Sequence, residues 1–134
     1  MNTIFENEFL ILKIDTEKDI FYAEWRPETE NMDVPEYLEN GARILQNYLK
    51  SKCRNGIING IDFKFPISPD LQEKIAQGMI AQINGKVDKL AHIHPVDFIA
   101  SLSTKQLWEE NQNKTYSEHF FATVDDAIAW ILKG

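Results

Sequence analysis

Helix-start signals recur between short β-rich runs along this chain, and that alternation limits its possible folds more than any other feature. Phe9 to Asp15 and Ile20 to Arg26 are apolar or aromatic runs. The polar, turn-prone Thr16-Glu17-Lys18-Asp19 splits them, which is the pattern of a β-hairpin. In the second run Phe21, Ala23 and Trp25 alternate with Tyr22, Glu24 and Arg26, predicting one buried face and one wetter face. Asp33 stands three residues before Glu36, the reciprocal pattern of a capping box, and Leu38, Ala42, Leu45 and Leu49 follow at helical spacing. Lys50, Lys52 and Arg54 gather where that helix should end. A helix dipole favours cations there, so the cluster reads as a terminus rather than a binding patch.

Gly56 to Phe63 reads as a turn followed by a third strand. Ser68-Pro69-Asp70 supplies an N-cap, a proline at the first helical position and an acid in the first turn. The helix it opens is expected to run to Asn84-Gly85, with Leu71, Ile75, Met79 and Ile83 as its buried stripe. Gly78 inside it implies a close packing contact, since glycine there costs roughly 1 kcal/mol relative to alanine. Lys89 to His94 forms a fourth strand ended by Pro95. A short helix from Pro95 to Leu102 then leads into another at Ser103, where Ser103 and Gln106 suggest a second capping box. Glu118 to Ala122 makes the last strand, and Thr123 caps a closing helix through Leu132. The order β-β-α-β-α-β-α-β-α predicts an α/β fold. Its mixed sheet of about five strands joins an N-terminal hairpin to parallel strands with right-handed crossovers. Helices should cover the sheet, with their division between its faces left open.

Composition narrows the partners. The 134 residues carry 43% hydrophobic side chains, enough for one domain spanning 1–134 with a real core. Fourteen Lys and Arg against 21 Asp and Glu leave a net charge of -7. Such a surface repels phosphates and anionic headgroups, so no nucleic acid is expected as a partner. The acidic start lacks the basic region of a signal peptide, and Phe9-Leu10-Ile11-Leu12 is far too short to span a bilayer. A cytoplasmic location without stable membrane insertion is the expectation. Cys53, the single cysteine, excludes an internal disulfide, and Lys52 and Arg54 beside it would lower a thiol pKa. No Gly-x-Ser-x-Gly elbow, Walker loop or dinucleotide loop is present, so neither enzyme chemistry nor a cofactor is expected.

A few residues remain as candidates. Ser68 would accept a phosphate at a helix N-terminus, where unpaired amides favour anions, though its plain role is a cap. His92 and His94, two apart on a strand, share one face, and His119 would add a third imidazole if it lies near. No carboxylate stands at ligand spacing within that strand, so a structural role is expected and no metal. Asp62 and Asp97 should lie near the carboxyl ends of inner strands, where ligands bind in open α/β sheets, but both also suit turns or first helical turns. Of the aromatics, Trp25, Trp108, Phe120, Phe121 and Trp130 should be core. Phe63 and Phe65, leading into the Ser68 helix, could line a pocket or a partner patch. Asp62, Phe63, Phe65, Ser68 and His94 thus form the candidate partner or ligand surface.

Three stretches carry a family likeness. The hairpin has Ile14-Asp15 at its turn and ends in Ala23-Glu24-Trp25. The third strand and its loop lead into Ser68-Pro69-Asp70-Leu71, and the chain closes with Phe120-Phe121-Ala122-Thr123-Val124-Asp125-Asp126-Ala127-Ile128-Ala129-Trp130-Ile131. From Phe9 to Lys133 the sequence resembles the SpoIIAA-like branch of the STAS domain family, related in shape to lipid-carrying SEC14 domains. The resemblance implies a non-enzymatic regulatory or protein-interaction domain, as in anti-sigma factor antagonists switched by a phosphorylated serine at the second main helix. By position that serine is Ser68, although Ile67 precedes it where the family usually has Asp. The SEC14 likeness implies the alternative, a carrier or sensor of a small apolar ligand. A homodimer is compatible with either.

Overall fold

The computed structural model describes residues 1–111 and 113–133. One six-stranded sheet runs through it, with the strands side by side in chain order. β1 (Asn2–Glu6), β2 (Leu10–Asp15) and β3 (Ile20–Trp25) are antiparallel neighbours. β4 (Asn55–Asn59), β5 (Lys89–Ile93) and β6 (Ser117–Phe121) then continue parallel to β3. The expected hairpin, the parallel inner strands and the α/β class are all present.

The strand count is corrected from five to six. The sequence gives no strand before Phe9 because the alternation of β1 is invisible: only Phe5 is even half-buried, and the other four residues are exposed. An edge strand with both faces wet needs no apolar stripe, so period two leaves no trace in composition. Phe5 lies under the Arg43 guanidinium, 4.4 Å from ring centroid to Cζ, and Glu6 pairs with Arg26 at 2.7 Å.

Helix α1 (Val34–Ser51) begins with the predicted capping box: Asp33 accepts from the Glu36 amide, and Glu36 accepts from the Asp33 amide. It ends at Lys52 in the left-handed region. Helix α2 (Pro69–Gly78) has Ser68 as its N-cap, and α4 (Val124–Leu132) has Thr123. Two helical expectations are corrected. α2 stops at Gly78, and a separate 3-10 stretch covers Ile80–Ile83 before Gly85 turns the chain at positive φ. A Cβ at Gly78 would meet nothing within 4 Å, so glycine there marks a helix end and not a packing contact. The Gln82 side chain donates to the Gly78 carbonyl at 2.6 Å in place of the missing helical turn. Likewise α3 is one helix, Phe98–Glu109, capped by Asp97. Ser103 is not a cap: its buried hydroxyl accepts from the Ile67 amide at 3.1 Å, joining α3 to the segment before α2.

Three crossovers that step the same way across a sheet, each of the favoured right hand, must lie on one face. The packing follows that rule. Phe21, Ala23, Trp25 and Leu90 pack in one cluster with residues of α1, α2 and α3. Ile20, Tyr22, Ile57, Ala91 and Ile93 point the other way and pack with Ala127 and Ile131 of α4. Leu10, Leu12, Ile20 and Ile57 are fully buried, each stabilising the fold by about 1.5–3 kcal/mol through apolar burial. No helix among the described residues is long and apolar enough to cross a membrane.

Candidate functional site

Between the sheet and α1–α3 lies a cavity of about 130 Å³. Phe21, Ile58 and Leu90 form its floor, Ile44 and Leu45 of α1 one wall, and Ile75 and Ile83 another. Two glycines face it and withhold side chains. A Cβ on Gly41 of α1 would approach Met79 Sδ at 3.6 Å, and one on Gly56 of β4 would press on Leu90 Cδ1 at 3.2 Å. The lining is almost wholly apolar, and its exceptions carry the chemistry.

His92, Tyr48 and Thr104 line this cavity, and each carries a buried polar atom with no hydrogen-bond partner among the described residues. For Tyr48 and Thr104 the atom is the hydroxyl oxygen; for His92 it is Nδ1. Buried polar groups are normally paired, because leaving one unpaired costs about 1–3 kcal/mol. Three residues lining one cavity carry such atoms, which marks it as a place where polar partners are expected.

The His92 ring is fixed from several sides. Trp108 of α3 packs against it at 4.5 Å between centroids, and Phe120 of β6 stacks on it at 4.5 Å. Its Nε2 lies 2.7 Å from Glu118 Oε2, and Lys114 Nζ holds the other Glu118 oxygen at 2.6 Å. Burial pushes the His92 pKa below its ordinary value, outweighing the pull of Glu118. Burial alone would raise the Glu118 carboxyl, but the His92 and Lys114 hydrogen bonds outweigh it and hold the group below the usual carboxylate range. Above pH 6.5 the pair is thus neutral imidazole and ionised carboxylate. A carboxylate has no proton to give, so Nε2 carries the hydrogen and Nδ1 presents a lone pair. Tyr48 keeps its proton, since burial pushes its pKa up to about 12.

The residues singled out from sequence fall in different places. Phe63 is buried and lines the cavity; Phe65 is buried and stacks on Tyr37 at 4.7 Å. Asp62 and Ser68 are exposed, and Ser68 Oγ accepts from the Leu71 amide at 3.4 Å. His94 shares the His92 face, half-buried, and also stacks on Phe120, at 4.7 Å. His119 does not join them: it lies across the sheet against Trp130 of α4, 5.0 Å between centroids. Among the described residues no group of three potential ligands is arranged to hold a metal ion. Asp97 accepts from the Ala100 amide as a cap. Burial raises the Cys53 thiol pKa, reversing the activation expected from Lys52 and Arg54; Arg54 turns away to pair with Asp88 at 2.6 Å.

Sequence reasoning missed Glu118, Thr104 and Tyr48. Glu118 had a usable signal, because in parallel pairing His92 stands opposite Phe120 and Leu90 opposite Glu118, which puts both even-numbered sets on one face. Thr104 was hidden by the expected helix break at Ser103.

A second feature is an exposed apolar patch. Val96 is 80% exposed and Phe98 76%, and Ile99 and Leu102 of α3 are also exposed. Ile61 joins them through its carbonyl, which accepts from the Val96 amide at 3.1 Å. Comparison with protein-family models, with curated proteins and with solved structures gives no match to this chain.

Proposed function

We propose that this chain is a non-enzymatic binding domain of the STAS/SpoIIAA-like kind, acting as a carrier or sensor of a small, mainly apolar ligand. The single observation that carries the reading is the cavity beneath α1–α3, whose lining residues His92, Tyr48 and Thr104 carry buried polar atoms without a partner among the described residues. An apolar pocket with a few polar groups is the usual form of a small-molecule site. The antiparallel N-terminal strands leading into parallel ones support the family assignment. Native mass spectrometry of freshly purified protein tests the function directly. A bound small molecule, released on unfolding, is expected, and added small aromatics failing to bind at all would overturn it.

The patch at Val96, Phe98, Ile99 and Leu102 favours a second reading, a regulatory surface for a protein partner. Ile67 bonds to Ser103 of α3, so exposed Ser68 sits beside the helix that bears this patch. Phosphorylation of Ser68 would place about two negative charges there and repel an acidic partner. A pull-down comparing wild type with Ser68→Asp checks this: a partner lost on substitution supports the switch, and an unchanged set of partners contradicts it.

A further inference from the structure

The cavity's size and its polar atoms together define a narrower ligand than "apolar". At about 130 Å³ it is close to the roughly 150 Å³ apolar cavity that accommodates benzene in another protein, so one six-membered ring is the natural filling. His92 Nδ1 is an acceptor: the Glu118 carboxylate accepts a hydrogen bond from Nε2–H, and the ring packs against Trp108 and Phe120. Thr104 lies one helical turn before Trp108 on α3, on the same side, and its hydroxyl can give a hydrogen. An acceptor and a donor on residues of the same lining match a hydroxyl, which donates one hydrogen bond and accepts others.

We infer that the site takes a one-ring aromatic alcohol, whose neutral hydroxyl donates to His92 Nδ1 and accepts from Thr104. This rests on the ligand-binding reading above and deepens it. The site rejects carboxylic acids in their ionised form. An anion brings no hydrogen for Nδ1, and the Glu118 carboxylate stands directly behind the imidazole. Toluene fills the same volume but leaves both polar atoms unpaired, so it binds more weakly than phenol.

The test compares phenol, toluene and benzoate on the full chain by calorimetric titration. Phenol is expected to bind about tenfold or more tighter than toluene, with benzoate undetected. In His92→Phe the preference for phenol should shrink to within about twofold while toluene still binds. A readout on wild type guards against a variant that fails to fold: phenol, and not toluene, should shift the imidazole ¹⁵N resonance of His92 Nδ1. Equal affinity for phenol and toluene in wild type, or an unmoved Nδ1 resonance with phenol bound, would overturn the hydroxyl inference and leave the apolar-ligand reading standing. If none of the three binds, both readings fail and the polar atoms are satisfied by water.

Discussion

On the α4 side of the sheet, Asn59 donates to the Tyr22 hydroxyl at 2.9 Å, and that hydroxyl donates to Glu24 at 2.6 Å. The Asn59 side-chain oxygen accepts from the Ile61 amide, so the buried polar groups there are matched with one another. On the opposite side, beneath α1–α3, His92 Nδ1 and the Tyr48 and Thr104 hydroxyls are buried without such matches among the described residues. The same sheet carries both arrangements. The difference teaches that the polar atoms around the cavity are not a general property of this core. Among the described residues, those on His92, Tyr48 and Thr104 lie on the face covered by the crossover helices, where the proposed ligand would sit.

The largest loss of stability is expected on the packed side. Ile20 is fully buried in the α4-side cluster, and Ile20→Ala should cost about 3–4 kcal/mol in urea unfolding. A loss under 1 kcal/mol would mean that side is as loosely filled as the other. Asn59→Ala removes a partner from Tyr22 and from the Ile61 amide, with an expected loss of about 1–3 kcal/mol by the same measurement. Thr104→Val is the contrasting change. It replaces an unpartnered hydroxyl by a methyl group of similar shape, so stability should hold or rise by up to about 1 kcal/mol. A drop comparable to that of Asn59→Ala would show that Thr104 has a partner after all.

Acid sharpens the same contrast. The native His92 pKa lies below its ordinary 6.5, so the unfolded chain takes up a proton that the folded one refuses. Its contribution is complete above pH 6.5 and declines as pH falls below it. Half-buried His94 is shifted the same way by burial and by Lys105. Glu118, held below its ordinary 4.5, contributes above that value and loses its share as pH falls further. The urea midpoint of wild type should therefore decline below pH 6.5, and less steeply in His92→Phe. The smallest effect is expected at Gly78, where alanine meets open space at a helix end and should change stability by no more than about 1 kcal/mol, upward.

Much of the fold could be read from local chemistry. Asp33 with Glu36, Ser68 with Pro69, and Thr123 mark helix starts because capping is decided within three or four residues. β1 could not be read, since an edge strand with one half-buried side chain has no pattern to show. Nor could the end of α2, where Gly78 stops a helix whose apolar spacing continues into the 3-10 stretch. The site was less legible than the fold. His92 was noticed, but as a partner for His94 and His119, because its bond to Glu118 depends on the register of two strands 26 positions apart. Tyr48 and Thr104 are singled out only by hydroxyls without a partner among the described residues, a property no sequence displays.

The α1–α3 side of this sheet holds a ligand-sized hollow. Methyl-resolved NMR during a benzene titration tests it most directly. Shifts are expected at Ile44, Ile75 and Ile83, which line the cavity, and unmoved signals from Ile20 and Ile131 under the other face. Shifts of equal size on both faces, or on neither, would contradict it.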